Sequence, residues 1–415
     1  MGHPGGIRLT RRIYLVAGEP SGDRLGAALM EGIATVGGCT EFVGVGGPEM
    51  EARGLDSIFN YSELSVMGIA EVVPRLPRLL RLIKMTAKSA ADSGADALVT
   101  IDSPDFCLKV ARRVKESELE IPVVHYVCPS LWAWRPGRAA AIAKSVDHIL
   151  ALLPFEQEFL GEKGIPSTFV GHPAVSVPEV PDERIAALRD ELGIARERPL
   201  LAVLPGSRRS EINVLEPIFR KAVQKFLRHS PEYFVIVPAA PAMAGLLASR
   251  IGAWPPGVHL LTPDGHRAAE VENRKRTALY AADIALAASG TVVLELALAD
   301  TPMVAAYDMK RFSRMVVASM LRVETVNLIN LVAEGRVVPE LLGNQCTPDK
   351  ICARLIRIAE NESERSVQRE SFRIALERLG RGQENPGLRA ARAVLDVIRQ
   401  NRPAGNQTQE QGRPD

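Results

Sequence analysis

IYLVAGEPSGDRLGAALMEGIATV, residues 13–36, decides the fold class. IYLVAG is a short unbroken apolar run, the pattern of a strand buried on both faces, and GDRLGAALMEGIATV carries apolar residues at helical spacing. A Gly-rich turn joins them. The same alternation recurs downstream in FVGVGG (42–47), ALVTID (97–102), VVHYVC (123–128), HILALL (148–153) and STFVG (167–171). Pro173, Pro178 and Pro181 then punctuate the chain, and the pattern restarts with LLAVLPGS (200–207), a helix around Val214–His229, YFVIVPA, GVHLLT, DIALAAS and PMVAAY. Two α/β domains follow from this reading, each a doubly wound, Rossmann-like parallel sheet covered by helices on both faces. Residues 1–175 are expected to form the first, 176–385 the second and 386–400 an amphipathic helix, with 401–415 a disordered polar tail. Two such sheets are expected to face each other across a cleft lined by the loops after their strands, which are therefore the places to look for chemistry.

Composition narrows the function classes. The chain has 415 residues and 46% hydrophobic residues, ample for two cores. Fifty-one Lys and Arg against 49 Asp and Glu leave a net charge of +2, so a nucleic-acid partner is not expected. Five scattered cysteines without metal or redox spacing suit a reducing compartment. The apolar stretch after the basic N-terminus is too short for a signal core, and every longer one is broken before the ~20 residues that cross a bilayer. A soluble or peripheral cytoplasmic protein is the expectation.

Six segments carry candidate chemistry. In AGEPSGDRLG (17–26), Gly18, Gly22 and Gly26 surround Ser21 and Asp23, which suit either a ligand approached by bare backbone or the capping of a helix. In LPGSRRSEI (204–212), Gly206 and Ser207 with Arg208 and Arg209 combine backbone donors, a helix start and a guanidinium, an economical diphosphate site. In AASGTVVLELALADTPMV (287–304), Ser289, Gly290 and Thr291 open a helix, and Glu295 shares a face with Thr291, so phosphate and ribose could be held together. TIDSPDF (100–106) places Asp102 directly after a strand as a candidate general base, with Asp105 better read as a helix cap. HYVCPSLWAWRPGR (125–138) concentrates Trp132 and Trp134 beside Arg135 and Arg138, either a cleft wall or ordinary packing; His125 and His172 lack ligand spacing. In residues 64–91, Arg75, Arg78, Arg81, Lys84 and Lys88 recur among leucines, either a membrane-surface element or a basic helix on its own sheet. The chain holds no D-x-D triplet, so a metal-bridged diphosphate of that type is not expected.

Taken together, AGEPSGDRLGAALM, FVGVGGPEM, MGIAEVVPRL, IDSPDF, HYVCPSLWAWR, LPFE, FVGHP, LPGSRRSEI and ASGTVVLELALADTPMV resemble, in order, the lipid-A-disaccharide synthase family of two-Rossmann-domain (GT-B) glycosyltransferases. The resemblance implies transfer of 2,3-diacylglucosamine from UDP-2,3-diacylglucosamine to the 6-hydroxyl of 2,3-diacylglucosamine 1-phosphate, giving a β-1,6 disaccharide and UDP with inversion, without metal or other cofactor. Carried over residue by residue, it implies Asp102 as base, Arg208 with Gly206 and Ser207 on the leaving diphosphate, and Ser289, Gly290, Thr291 and Glu295 on phosphate and ribose. Ser21 and Asp23 would line the donor–acceptor junction, Trp132 the cleft wall, and Asn330 would face the cleft. Met67 and the basic element with Arg75, Arg78, Arg81 and Lys84 would meet the cytoplasmic face of the inner membrane. A C-terminal helix returning to the first domain, and a homodimer exchanging C-terminal segments, are also implied. Cys128 and Ile329 stand where the family usually has Ser and Pro, and the tail after residue 400 is outside its pattern. Rival readings are a UDP-N-acetylglucosamine epimerase or soluble-acceptor transferase on the same fold, and a silent membrane-associated binding protein.

Overall fold

The computed structural model describes residues 10–64, 69–117, 120–134, 137, 139–262, 268–308 and 325–401, with only the backbone given at 69–73, 133–134 and 268–269. Met67, the side chain of Trp134, Arg135, Arg138 and the tail from residue 402 lie outside this range. The chain divides into two compact units, one comprising the chain up to Ser176 and from Gly382 onward, the other Val177–Arg381.

The first unit runs β1 (Arg11–Ala17), α1 (Pro20–Val36), β2 (Thr40–Val45), α2 (Pro48–Glu51), β3 (Asp56–Ser57), α3 (Ile69–Asp92), β4 (Ala97–Ile101), α4 (Pro104–Lys115), β5 (Val123–Tyr126), α5 (Leu131–Trp134), α6 (Ala139–Ala143), β6 (His148–Ala151), α7 (Pro154–Gly161) and β7 (Ser167–Phe169). Its strands form one parallel sheet in the order β3-β2-β1-β4-β5-β6-β7. Alternation along β1 explains the two covering layers. Ile13, Leu15 and Ala17 join one core with Leu25, Leu29 and Ile33 of α1, while Tyr14 and Val16 join another with Leu82 and Ile83 of α3 and Val110 of α4.

The second unit runs α8 (Asp182–Glu191), β8 (Leu200–Leu204), α9 (Arg209–His229), β9 (Phe234–Pro238), α10 (Ala244–Ile251), β10 (Val258–Leu261), α11 (Ala268–Tyr280), β11 (Ile284–Ala288), α12 (Val292–Leu298) and β12 (Met303–Tyr307), then α13 (Leu328–Ala333), β13 (Glu340–Leu342), α14 (Pro348–Glu360) and α15 (Glu362–Arg378). Its parallel sheet has the order β10-β9-β8-β11-β12-β13. In both sheets the central strands are buried along their whole length, which is why they read as continuous apolar runs.

The last helix, α16 (Pro386–Gln400), belongs to the first unit and packs on α1. The crossing needs glycine on both sides: a Cβ on Gly32 would meet the Gly387 carbonyl oxygen at 2.5 Å, and one on Gly387 the Ala28 carbonyl oxygen at 2.8 Å. Arg389 ties the same helix to the Phe169 carbonyl at 2.8 Å.

Strand order reverses direction once in each sheet, between β1 and β4 in the first and between β8 and β11 in the second. Loops leaving neighbouring strands at such a switch point diverge to opposite faces and open a crevice between them. Residues 18–21 and 102–103 occupy it in the first unit, and residues 205–208 and 289–291 in the second.

Candidate active site

At the first switch point α1 is drawn close to the end of β4. A Cβ on Gly22 would lie 3.1 Å from the Ile101 carbonyl oxygen, and one on Gly26 would lie 2.4 Å from Met50 Sδ. These glycines serve chain-to-chain packing rather than approach to a ligand. The closeness brings Ser21 to Asp102: the hydroxyl donates to Oδ2 at 2.6 Å. Among the described residues no donor reaches Oδ1. Asp102 sits at φ +54°, Ser103 at +41° and, beside them at the end of β5, Val127 at +83°. Left-handed backbone costs a non-glycine residue about 1 kcal/mol or more, and a β-branched valine is a true outlier there. Three such residues sit at the carboxyl ends of two adjacent strands. They are held by hydrogen bonds from Asp102 N to Tyr126 O (2.9 Å), Val127 N to Leu150 O (3.0 Å) and Ser103 Oγ to Glu19 Oε1 (3.0 Å).

Asp23 is placed differently from the expectation. It is 2% exposed, and its carboxylate accepts the N–H groups of Gly47, Glu49 and Met50 at 2.9–3.1 Å. Asp23 therefore holds the start of α2, with both carboxylate oxygens engaged by backbone donors. His125 is fully buried, with Nδ1 2.8 Å from Thr100 Oγ1, and burial lowers its pKa to about 4; burial does the same to His172. Both are neutral near pH 7. The Cys128 thiol is also buried, and burial raises its pKa, which keeps it protonated and unreactive.

Trp132 is anchored rather than free. Its indole N–H donates to Glu156 Oε1 at 3.1 Å and its ring meets Phe155 edge-on, with centroids 5.0 Å apart. Glu156, unremarked in the sequence beyond its place in LPFE, is 3% exposed and also accepts the Leu152 and Leu153 N–H groups. Burial raises its pKa to about 7 in spite of these donors. Its position three residues past the cap of α7 is the signal that could have found it.

At the second switch point the two loops differ. Gly206 adopts φ +117°, and a Cβ there would meet Glu211 Cβ at 2.7 Å. Glu211 fills the turn: Oε2 accepts the Ser207 and Arg208 N–H groups at 3.0 and 3.3 Å, and Oε1 lies 3.1 Å from Arg208 Nη1. The backbone donors expected for a phosphate are thus taken by the chain's own carboxylate, while the Arg208 side chain stays 57% exposed. The spacing Arg208-x-x-Glu211 is that of a capping box and was legible as such. In the other loop Gly290 and Thr291 are exposed, and among the described residues the N–H groups of Gly290, Thr291 and Val292 meet no acceptor. Ser289 Oγ donates to Glu340 Oε1 at 3.2 Å, and Glu340 Oε2 accepts from Thr325 Oγ1 at 2.6 Å, so this loop is tied to residues 325–330. Asn330 is 3% exposed and clipped to Val338, donating to its carbonyl at 3.0 Å and accepting its N–H at 2.9 Å. Its amide closes the turn to Val338. Among the described residues no three His, Cys, Asp or Glu side chains converge as metal ligands.

The profile of the family described as lipid-A-disaccharide synthetase matches residues 13–393. That span includes both switch points. The chain belongs to the lipid-A-disaccharide synthase family. It is 50% identical over 93% of its length to the lipid-A-disaccharide synthase of Ruegeria pomeroyi, covering 95% of that protein, and 43% identical over 97% to that of Rhodospirillum centenum, covering 98%. Membership makes the chain a glycosyltransferase of lipid A disaccharide synthesis, acting on a UDP-sugar and an acceptor. Among solved structures, the calicheamicin glycosyltransferase CalG4 matches with a TM-score of 0.54 at 18% identity, over 95% of this chain and all of that one. The glycosyltransferase of kitacinnamycin matches with 0.57 at 16%, with the same coverage. These likenesses place the lipid-A-disaccharide synthase family chain in the GT-B fold. A putative UDP-N-acetylglucosamine 2-epimerase from Listeria monocytogenes shares that fold, with a TM-score of 0.58 at 12% identity over 94% of this chain and 96% of its own.

The basic element of this lipid-A-disaccharide synthase family chain is the helix α3. Leu82, Ile83, Ala87 and Ala90 face the sheet, which satisfies the ordinary packing role, while Leu76 and Leu80 are 44% and 42% exposed. Arg75, Arg81 and Lys84 are exposed beside them, and Arg78 pairs with Glu63 at 2.8 Å. No helix among the described residues is long and apolar enough to cross a membrane.

Proposed function

We propose that the chain joins 2,3-diacylglucosamine from UDP-2,3-diacylglucosamine to the 6-hydroxyl of 2,3-diacylglucosamine 1-phosphate in one inverting displacement. The observation that carries this reading is Asp102: a carboxylate on strained backbone at a switch point, with Oδ2 held by Ser21 and Oδ1 without a donor among the described residues. Oδ1 takes the proton of the acceptor 6-hydroxyl as its oxygen bonds the anomeric carbon from the face opposite the leaving group. The bond from that carbon to the diphosphate oxygen breaks, and UDP departs with the electron pair. Ser21 fixes the carboxylate's rotamer and leaves the more basic oxygen to the substrate.

Charge on the leaving diphosphate is met by the exposed Arg208 guanidinium, by Ser207 Oγ and by the open N–H groups of Gly290 and Thr291, with Ser289 beside them. Because Glu211 fills the backbone donors at Ser207 and Arg208, this reading assigns the phosphate to the arginine side chain there. Glu295 accepts the ribose hydroxyls. Asp23 and Asn330 act on the site through the loops they hold, and Trp132 contributes a wall set by Glu156.

The exposed leucines of α3 with Arg75, Arg81 and Lys84 are the pattern of a surface that docks on anionic lipid, and the acylated substrates reside in such a membrane. We assign the cytoplasmic face of the inner membrane as the place of work. An exchange of C-terminal segments in a homodimer would seat α16 on the α1 of a partner through the same pair of glycines.

The test is UDP release from UDP-2,3-diacylglucosamine in detergent micelles, with and without the acceptor, and identification of the product. Acceptor-dependent UDP with a β-1,6 disaccharide supports the reading. UDP-sugar turnover that ignores the acceptor, or runs on a water-soluble one, contradicts it.

A further inference from the structure

Glu295 does not stand alone. Lys275, from α11, lies with Nζ 2.5 Å from Glu295 Oε2 and 3.5 Å from Glu272 Oε1. The lysine side chain is 23% exposed and that of Glu295 30%, yet Oε2 itself has almost no accessible surface. One carboxylate oxygen is therefore turned inward onto the ammonium, and the exposed part of the side chain lies away from it. Burial pulls the Lys275 pKa down, but the two carboxylates outweigh burial and hold it above its ordinary value, so the lysine stays charged. Without Lys275, the inward-turned Oε2 of Glu295 would have no cation beside it. Glu295 would lose the ion pair that fixes its rotamer.

We infer that Lys275 is a positioning residue that keeps Glu295 aimed, and so sets recognition of a ribose cis-diol over a deoxyribose in the nucleoside diphosphate. The inference rests on the proposed role of Glu295. A cis-diol offers two donors to one acceptor group, and hydrogen bonds to an ionised carboxylate are about twice as strong as neutral ones. Removing one hydroxyl from the sugar removes one such bond, which is worth about tenfold in affinity. The preference for the diol thus reads the state of Glu295 directly, whereas a general loss of packing between α11 and α12 would weaken both nucleotides alike.

The experiment measures dissociation constants for UDP and 2′-deoxy-UDP with wild type, Lys275→Met, Lys275→Arg and Glu295→Gln, with a thermal melt of each protein. The expected result is a preference for UDP of about tenfold in wild type, largely lost in Lys275→Met through weaker UDP binding, and largely restored in Lys275→Arg. In Glu295→Gln the preference is lost as well. A full preference retained in Lys275→Met, or equal losses for both nucleotides with a lowered melting temperature, overturns the role of Lys275 while leaving Glu295 in place. A full preference retained in Glu295→Gln overturns the ribose reading itself, and the inference with it.

Discussion

The loops after β4 and β8 occupy equivalent places, each at the switch point of a parallel sheet and each following a strand buried throughout. Their backbones are handled in opposite ways. Where β8 ends, the chain turns at φ +117° on Gly206, the residue for which that conformation is free. Where β4 ends, it turns at positive φ on Asp102 and Ser103, which are not. The glycine loop presents an exposed arginine, and Glu211 satisfies the Ser207 and Arg208 backbone donors. The strained loop presents a short carboxylate fixed at one oxygen by Ser21. Strain is retained where a particular atom must sit at a particular place, and dispensed with where a diffuse charge suffices. The proposed reading gives the proton chemistry to the loop after β4 and the leaving nucleotide to the loop after β8.

The largest effect should come from the strained loop. Asp102→Asn keeps the shape and removes the base, so kcat should fall by roughly 10²- to 10⁴-fold in the micelle assay while the KM values change little. A variant retaining a tenth of the wild-type rate would remove Asp102 from the chemistry. Next is Arg208→Ala, expected to lower kcat by about 100-fold, because the charge it meets develops as the diphosphate leaves. Arg208→Lys should recover part of that loss, and full activity in Arg208→Ala would break the contrast from the other side. Ser21→Ala should cost about tenfold in kcat at unchanged fold, the hydroxyl contributing one charge-assisted hydrogen bond. A drop in melting temperature without a rate defect would show that Ser21 only ties α1 to β4.

The smallest effect is one of pH on stability. His125 has its folded pKa lowered to about 4 from an ordinary 6.5, so unfolding takes up a proton between those values. The stability it contributes is present above about pH 6.5 and is lost as the pH falls toward 4. Glu156, raised to about 7 from 4.5, works in the opposite sense: its contribution is present below about pH 4.5 and is lost as the pH rises through 7. Urea unfolding at pH 7 and pH 5 should therefore show a smaller loss on acidification in His125→Asn than in wild type, and a larger loss in Glu156→Gln. Unchanged differences would mean that neither group changes protonation on unfolding.

The strands that build the cores were legible because burial on both faces leaves an unbroken apolar run. Strands β3 and β13, two and three residues long at the sheet edges, leave no such run and were not anticipated. Around the site, what could be read were residue types at strand ends, since a parallel fold sends those ends to one side. Which atoms are already occupied could not be read. Asp23 meets backbone 24 to 27 residues away, Ser21 meets Asp102 across 81 residues and Ser289 meets Glu340 across 51, and nothing local encodes those distances. Asn330 was named only through the family resemblance, and nothing local shows that Val338 engages its amide. Glu211 and Glu156 were within reach of local reasoning, each being the carboxylate three residues past a helix cap.

The division of labour between the two loops is tested most directly by measuring UDP affinity by calorimetry and kcat on the same preparations of wild type, Asp102→Asn and Arg208→Ala. The account predicts that Asp102→Asn binds UDP within about twofold of wild type and has almost no turnover, while Arg208→Ala loses about tenfold in UDP affinity and about 100-fold in kcat. An Asp102→Asn protein that turns over normally, or one that loses UDP binding as severely as Arg208→Ala, would contradict it.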